Sequence, residues 1–295
     1  MVALIKEDKI SVGGVETDNH LILAAGVLGT TGASLRRMLD LGAGAAVTKS
    51  IGPFPKEGHK GPCVYVMEGA VMNAMGLPNP SSDFVNELEC LGGKPVIASI
   101  FGANPDEFSE VASWFEGKVR GFELNVSCPH AQGYGAQIGS DPDMVRECTR
   151  AVAKTGVPTW VKLTPNVTDI TEIGIAAEEG GASAVVAINT VKALRISTGL
   201  RRPLLGNGTG GLSGPAVFPI ALRCVWELYE ALSIPVVGCG GVSSADNVIE
   251  MIMAGASAVE IGSAVLDGVD IFEKISSELY SDEGEKIGDI LGCAH

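Results

Sequence analysis

Eight short apolar runs, alternating with amphipathic stretches, constrain this chain more than anything else in it. The runs are Leu21–Gly26, Ala45–Ile51, Pro95–Gly102, Gly121–Cys128, Thr159–Pro165, Ala184–Thr190, Pro235–Gly241 and Ala258–Ala264. They are apolar at odd and even positions alike, as strands buried on both faces of a parallel sheet must be. The stretches between and after them carry helical spacing: Gly32–Leu41, Ser81–Leu91, Pro105–Phe115, Asp141–Lys154, Asp169–Glu179, Pro215–Leu232, Ala245–Ala254 and Ile271–Tyr280. Eight strands alternating with eight helices predict an α/β protein of one domain over residues 1–295, a (β/α)8 TIM barrel. A doubly wound open sheet is the other architecture with this alternation, but it more often uses fewer strands. Lys9–Thr17 has β-branched residues either side of Gly13–Gly14 and predicts an N-terminal hairpin. Gly52–Pro80 after the second strand and Val191–Gly214 after the sixth are too long for plain connections. As insertions they fall at the C-terminal end of the strands, where barrels bind ligands.

The polar residues concentrate at that same end. Glu123–His130 (ELNVSCPH) begins as a strand and finishes in Asn125, Ser127, Cys128 and His130, groups that no core needs. Pro129 cannot donate to a ladder and stops the strand; the Gly-rich run Ala131–Ser140 that follows reads as a loop. Thr48, Lys49 and Ser50 end the second strand, Ser99 lies in the third, Lys162 and Thr164 in the fifth, and Asn189 and Thr190 end the sixth. A lysine inside a strand is costly to bury without a partner. Lys49 and Lys162 are therefore candidate site residues, with snorkelling structural lysines as the alternative. Gly210–Gly211, Gly214, Gly238, Gly240, Gly241 and Gly262 with Ser263 cluster around the last two strands. There a barrel commonly holds a phosphate on backbone N–H groups; tight turns are the plainer explanation.

The net charge is −14 and no Lys/Arg cluster interrupts it, which argues against a nucleic-acid partner. The seven cysteines form no CxxC pair and no zinc spacing, so no metal is expected, and an odd scattered set suits a reducing cytoplasm. Cys63, Cys90, Cys148, Cys224, Cys239 and Cys293 read as packing or surface residues; Cys128, beside the loop, is the candidate reactive thiol. Lys6, Glu7, Asp8 and Lys9 leave no apolar core for a signal peptide, and no run approaches the roughly 18 apolar residues of a membrane span.

Several motifs occur together in one order: TKS at 48–50, NAMGLPN at 73–79, NVSCPH at 125–130, KLTPN at 162–166, INT at 188–190, GGLSG at 210–214 and GCGGV at 238–242. In these the chain resembles the class 1 dihydroorotate dehydrogenases, FMN-dependent barrels, most of all the class 1B catalytic subunit, from Leu21–Gly29 to Ala254–Val265. The resemblance implies oxidation of dihydroorotate to orotate, with a proton lost from carbon 5 and a hydride from carbon 6. It implies Cys128 as general base on a loop that closes over the substrate. Asn73, Asn125, Asn189 and Thr190 would read the pyrimidine, with Lys49 and the backbone of Met75–Gly76–Leu77 on its carboxylate. Ala25, Gly26, Lys49, Ser50, Ser99, Asn125, Lys162 and Ile188 would line FMN, and Gly214, Gly240, Gly241, Gly262 and Ser263 its phosphate. Where many members have Asn, this chain has His130, expected at the substrate. That SCPH form also resembles the pyrimidine-reducing domain of dihydropyrimidine dehydrogenase, which leaves dihydrouracil or uracil as the alternative substrate. Class 1B members work with a second subunit that carries FAD and an iron–sulfur cluster and reduces NAD. Class 1A members are homodimers that use fumarate. A homodimer or a heterotetramer is expected.

Overall fold

The computed structural model describes residues 2–7, 9–126 and 138–295. Eight parallel strands close into a barrel. They are β1 (Leu21–Leu23), β2 (Ala45–Val47), β3 (Val96–Ile100), β4 (Gly121–Asn125), β5 (Thr159–Leu163), β6 (Ala184–Ala187), β7 (Val236–Cys239) and β8 (Ala256–Ile261). Helices follow the strands on the outside: α1 (Gly32–Asp40), α2 (Pro105–Trp114), α3 (Pro142–Ala153), α4 (Ile170–Glu179), α5 (Phe218–Ala231), α6 (Ala245–Met253) and α7 (Ile271–Leu279). Their starts are written locally. Thr31, Asn104, Asp141, Asp169 and Ser244 each accept a backbone N–H of the first turn, and Pro105 and Pro142 open α2 and α3 without losing a needed donor. The predicted barrel is thus the one observed.

The strands stop two to four residues before most of the apolar runs do. Beyond β2, Lys49 donates its N–H to Gly29 O at 2.8 Å and Ile51 to Ser99 O at 2.9 Å, so the chain leaves the regular ladder and forms the rim. Ser81–Leu91 is a 3-10 helix rather than the expected α-helix. It docks tightly on the start of α1: Gly32 donates its N–H to Glu87 Oε2 at 2.8 Å, and a Cβ on Gly32 would strike the Glu87 carbonyl.

The two insertions make one structure, which the sequence pattern did not predict. Val64–Met67 and Ala70–Asn73 form a hairpin, Gly210–Ser213 pairs with its second strand, and Val191–Ala193 completes a four-stranded antiparallel sheet across the barrel mouth. Gly210 and Gly211 serve this sheet. A Cβ on Gly210 would meet the Asn73 carbonyl oxygen at 2.6 Å, and one on Gly211 would collide with the Thr190 side chain.

The opposite end is sealed. The hairpin Ile10–Val12/Val15–Thr17 lies under the barrel, where Val12 and Val15 pack with Ile22, Trp160, Ala184 and Ala258. Alanines at 45, 184 and 258 leave room for the fully buried Trp160, whose indole donates to Gly13 O at 3.3 Å. A side chain of this size contributes roughly 1.5–3 kcal/mol by leaving water. No helix of the described residues is long and apolar enough to cross a membrane.

Candidate active site

The barrel mouth holds a cavity of about 320 Å³ beneath the antiparallel sheet. Alternation along the strands decides what faces it. On β4, Glu123 and Asn125 point to one side, and Asn125 lies in register with Lys162 of β5. On β7, Cys239 lies in register with Glu260 of β8. Lys49 and Ser50 leave β2 at the cavity edge, and Asn189 and Thr190 leave β6 on the far side.

A chain of hydrogen bonds joins these residues. Ser99 Oγ and Ser50 Oγ are 2.9 Å apart. Asn125 donates from Nδ2 to Ser50 Oγ at 3.0 Å and accepts on Oδ1 from Asn189 Nδ2 at 3.3 Å. Asn189 Oδ1 accepts the Thr190 N–H at 2.8 Å. The network joins residues in or just beyond four strands, β2, β3, β4 and β6, and each member holds the next in one orientation. Asn166 extends it, donating to Thr190 O at 3.0 Å and accepting the Lys192 N–H at 2.8 Å. So the rim of the barrel is tied to the sheet above it.

That sheet brings Asn73 into the cavity wall. The turn after it, Met75–Gly76–Leu77, is left-handed at Gly76 (φ 75°) and Leu77 (φ 57°). Successive residues of such a turn aim backbone N–H groups into one hollow, a shape suited to a carboxylate. His59 packs against it and donates its N–H to Met75 O at 2.9 Å.

Glycines line the third side. Gly240 (φ 134°) and Gly241 (φ 76°) lie in the wall, and a Cβ on Gly241 would meet both Gly214 O and Phe218 N at 2.8 Å. Backbone from two segments, Gly240–Gly241 and Gly214–Phe218, therefore converges where only glycine fits. Gly262 and Ser263 close this wall, and Ala25, Gly26 and Ile188 the remainder.

Below the cavity floor is a buried charge cluster. Lys162 bonds the carboxylate of Glu260 and lies 3.6 Å from Glu123; both glutamate side chains are fully buried. Burial and then the neighbouring Glu260 raise the Glu123 carboxyl well above its usual range, with Lys162 opposing. Burial would lower Lys162, but the opposing negative groups outweigh it and hold it well above its ordinary value. Burial pushes the Cys239 thiol up to about 12, so at neutral pH the thiol carries no charge to hold Lys162 in its ammonium form.

The cavity gathers almost every residue singled out in the sequence. Ser99 does not line it but supports it through Ser50, and Gly214 backs the glycine wall. Cys128 and His130 lie outside the described residues. Cys239, read as a packing residue, is buried yet lines the cavity. Glu123 and Glu260 were not singled out, although a carboxylate inside an apolar run carries the same signal that marked the two lysines. Val64 and Val71 of the covering sheet add apolar wall that no motif announced, and Leu212 adds more from within GGLSG. Among the described residues, no group of three or more His, Cys, Asp or Glu side chains is placed to hold a metal ion.

The family model described as "Dihydroorotate dehydrogenase" matches residues 9–282. The chain belongs to the dihydroorotate dehydrogenase family. A curated relative from Methanocella arvoryzae, named "Dihydroorotate dehydrogenase B (NAD(+)), catalytic subunit", is 57% identical over 292 residues, 97% of each chain. Relatives of the same name from Methanosarcina acetivorans (96% of this chain, 94% of that one) and Pyrococcus horikoshii (97% of each) are 56% and 48% identical. Among solved structures, DHODH from Eimeria tenella in complex with ferulenol matches with a TM-score of 0.84 over 98% of this chain and 89% of that one. At 19% identity that likeness shows the fold alone. For a dihydroorotate dehydrogenase the arrangement is economical: one polar network, one anion-sized turn and one glycine wall share a single cavity.

Proposed function

We propose that this chain is the catalytic subunit of an NAD-linked dihydroorotate dehydrogenase, oxidising dihydroorotate to orotate with FMN in pyrimidine biosynthesis. The observation that carries the reading is the meeting of Lys49, the left-handed Met75–Gly76–Leu77 turn and the Asn125–Asn189 network in one cavity. Dihydroorotate is a cyclic diamide bearing a carboxylate, and this set offers amide donors and acceptors beside a cation and a backbone anion site. Uracil has no carboxylate to occupy Lys49 and the turn, and the relatives carry the dihydroorotate name. The dihydropyrimidine alternative is therefore set aside.

The residues present fit FMN. The Gly214–Gly240–Gly241 convergence, with Gly262 and Ser263, is a backbone cradle of the kind that holds phosphate. Ala25, Gly26, Lys49, Ser50, Asn125 and Ile188 would hold the ring, with Ser99 behind Ser50, and Lys162 would place positive charge beside it. When bound, FMN supplies a hydride acceptor. Cys128 would take the carbon 5 proton as thiolate, and Asn73, Asn189, Thr190 and His130 would orient the ring. The relatives' naming as catalytic subunits supports a second subunit, which would carry FAD and an iron–sulfur cluster and pass electrons to NAD. A homodimeric or heterotetrameric cytoplasmic assembly fits this reading.

The test is anaerobic bleaching of the FMN-loaded chain. Dihydroorotate should bleach the flavin rapidly, dihydrouracil should not, and NADH should act slowly without the second subunit. Rapid bleaching by dihydrouracil with none by dihydroorotate would overturn the substrate assignment.

A further inference from the structure

Two carboxyl groups and one ammonium are enclosed together beneath the cavity floor. Glu123 of β4 and Glu260 of β8 have fully buried side chains, and Lys162 of β5 is 6% exposed. Three oxygens, both of Glu123 and Oε1 of Glu260, have no hydrogen-bond partner among the described residues. Fully ionised, the cluster would hold two negative charges against one positive, with three orphaned acceptors. A buried charge left without a compensating partner is strongly destabilising. Two ionised carboxylates cannot hydrogen-bond each other, since each only accepts. One proton changes both facts. It neutralises the cluster, and it turns one carboxyl into a donor aimed at the other.

The geometry also says which group carries the proton. Lys162 makes its direct hydrogen bond to Glu260 and only a 3.6 Å approach to Glu123. Glu260 is therefore the better-supported anion and Glu123 the better site for the proton. The titratable groups acting on Glu123 among the described residues are Glu260, Lys162 and the Cys239 thiol, and burial with Glu260 pushes it upward as this requires.

We propose that Glu123 and Glu260 share one proton, Glu123 as neutral carboxyl and Glu260 as carboxylate, and that the pair are positioning residues holding the Lys162 ammonium toward the cavity. The proton assignment stands on the chain alone; its consequence for a bound flavin rests on the function proposed above. The arrangement presents a fixed positive charge at the cavity while the layer beneath it stays neutral. Paired carboxyl groups close together behave in this way because both cannot ionise at once.

Infrared difference spectroscopy on the flavin-free protein at neutral pH reads the proton directly. Wild type minus Glu123→Gln should show the C=O stretch of a protonated carboxylic acid, shifted down in heavy water. Wild type minus Glu260→Gln should show the same band, because Lys162 then loses its hydrogen-bonded carboxylate and Glu123 ionises in its place. Absence of the band from the wild-type difference spectra would overturn the proposal, as would its survival in Glu123→Gln. Glu123→Gln replaces a neutral group by a neutral isostere and should fold with a melting temperature close to wild type; failure to fold would count against a neutral Glu123. In the FMN-loaded protein, the midpoint potential should move in Glu260→Gln, whose ammonium loses its hydrogen-bonded anchor, more than in Glu123→Gln. Equal shifts in both would overturn the positioning role. A protein that shows the infrared band but binds no FMN would leave the shared proton standing and remove only the flavin reading.

Discussion

The base and the mouth of this barrel are made by the same eight strands and hold opposite surfaces. At the base, Val12, Val15, Ile22 and Trp160 pack with alanines, and the indole N–H of Trp160 is satisfied by Gly13 O. At the mouth, Ser50, Asn125 and Asn189 bond one another and face a cavity. Between the two lies the Glu123–Lys162–Glu260 layer. Close packing suits the end that a hairpin shields from water, and pre-bonded amides suit the end that must accept a ligand. The difference teaches that stability and chemistry are separable along the strand axis. A change at one end should move one measured quantity and spare the other.

The sharpest separation should come from Cys128→Ala. Loss of a positioned base lowers the rate by roughly 10²–10⁴-fold. Stopped-flow flavin reduction by dihydroorotate should slow by that amount while the melting temperature stays at the wild-type value. An unchanged reduction rate would remove Cys128 as the base. Its counterpart at the base is Trp160→Ala, which deletes the largest fully buried side chain. Aromatic-to-alanine changes in a core cost about 3–5 kcal/mol. Urea unfolding should show that loss, while flavin affinity measured well below the transition stays near wild type. A large loss of affinity in the still-folded variant would show that the two ends are coupled.

The base was the more legible end. Its strands are apolar runs, and its hairpin is announced by Gly13–Gly14 between β-branched residues. The rim was legible as polar residues at strand ends, and the family motifs gave those residues roles. The covering sheet was not, because Ala70–Asn73 and Gly210–Ser213 pair across more than half the barrel's length of sequence and nothing local fixes that register. The two glycines that let the sheet approach were read as phosphate-loop glycines for the same reason. Glu123 and Glu260 were legible and overlooked: a carboxylate within FELN or VEIG is as anomalous as a lysine within VKL.

Gly211→Ala probes the tie between rim and sheet. The new Cβ would collide with the Thr190 side chain, and Gly211 pairs with Asn73 on one side and Lys192 on the other. Overpacking of this kind costs about 1–3 kcal/mol. The expected outcome is a raised KM for dihydroorotate and faster hydrogen exchange in residues 64–73, with a smaller change in global unfolding. Unchanged KM and exchange would mean that Thr190 yields without moving the sheet.

The smallest effect belongs to His20, which sits at the base just before β1. Its side chain is buried, and its own backbone N–H donates to Tyr280 Oη at 3.2 Å. The hydroxyl, having accepted there, can give its proton to His20 Nδ1, 3.3 Å away, which fits a neutral ring. Burial lowers the His20 pKa from 6.5 to about 4. Between those values the unfolded chain binds a proton that the folded chain does not. Stability from this group is therefore intact above the unfolded pKa and is lost as pH falls toward the folded one. The slope is at most about 1.4 kcal/mol per pH unit within that window. Replacing His20 by Gln keeps a neutral hydrogen-bonding group and removes the titration. The difference in unfolding free energy between wild type and His20→Gln should shrink steadily as pH drops from neutral, because the carboxylates common to both proteins cancel. Flavin affinity should not follow that trend, since the mouth lies at the other end of the strands. Parallel stability curves for the two proteins would show that the folded chain takes up the His20 proton as readily as the unfolded one.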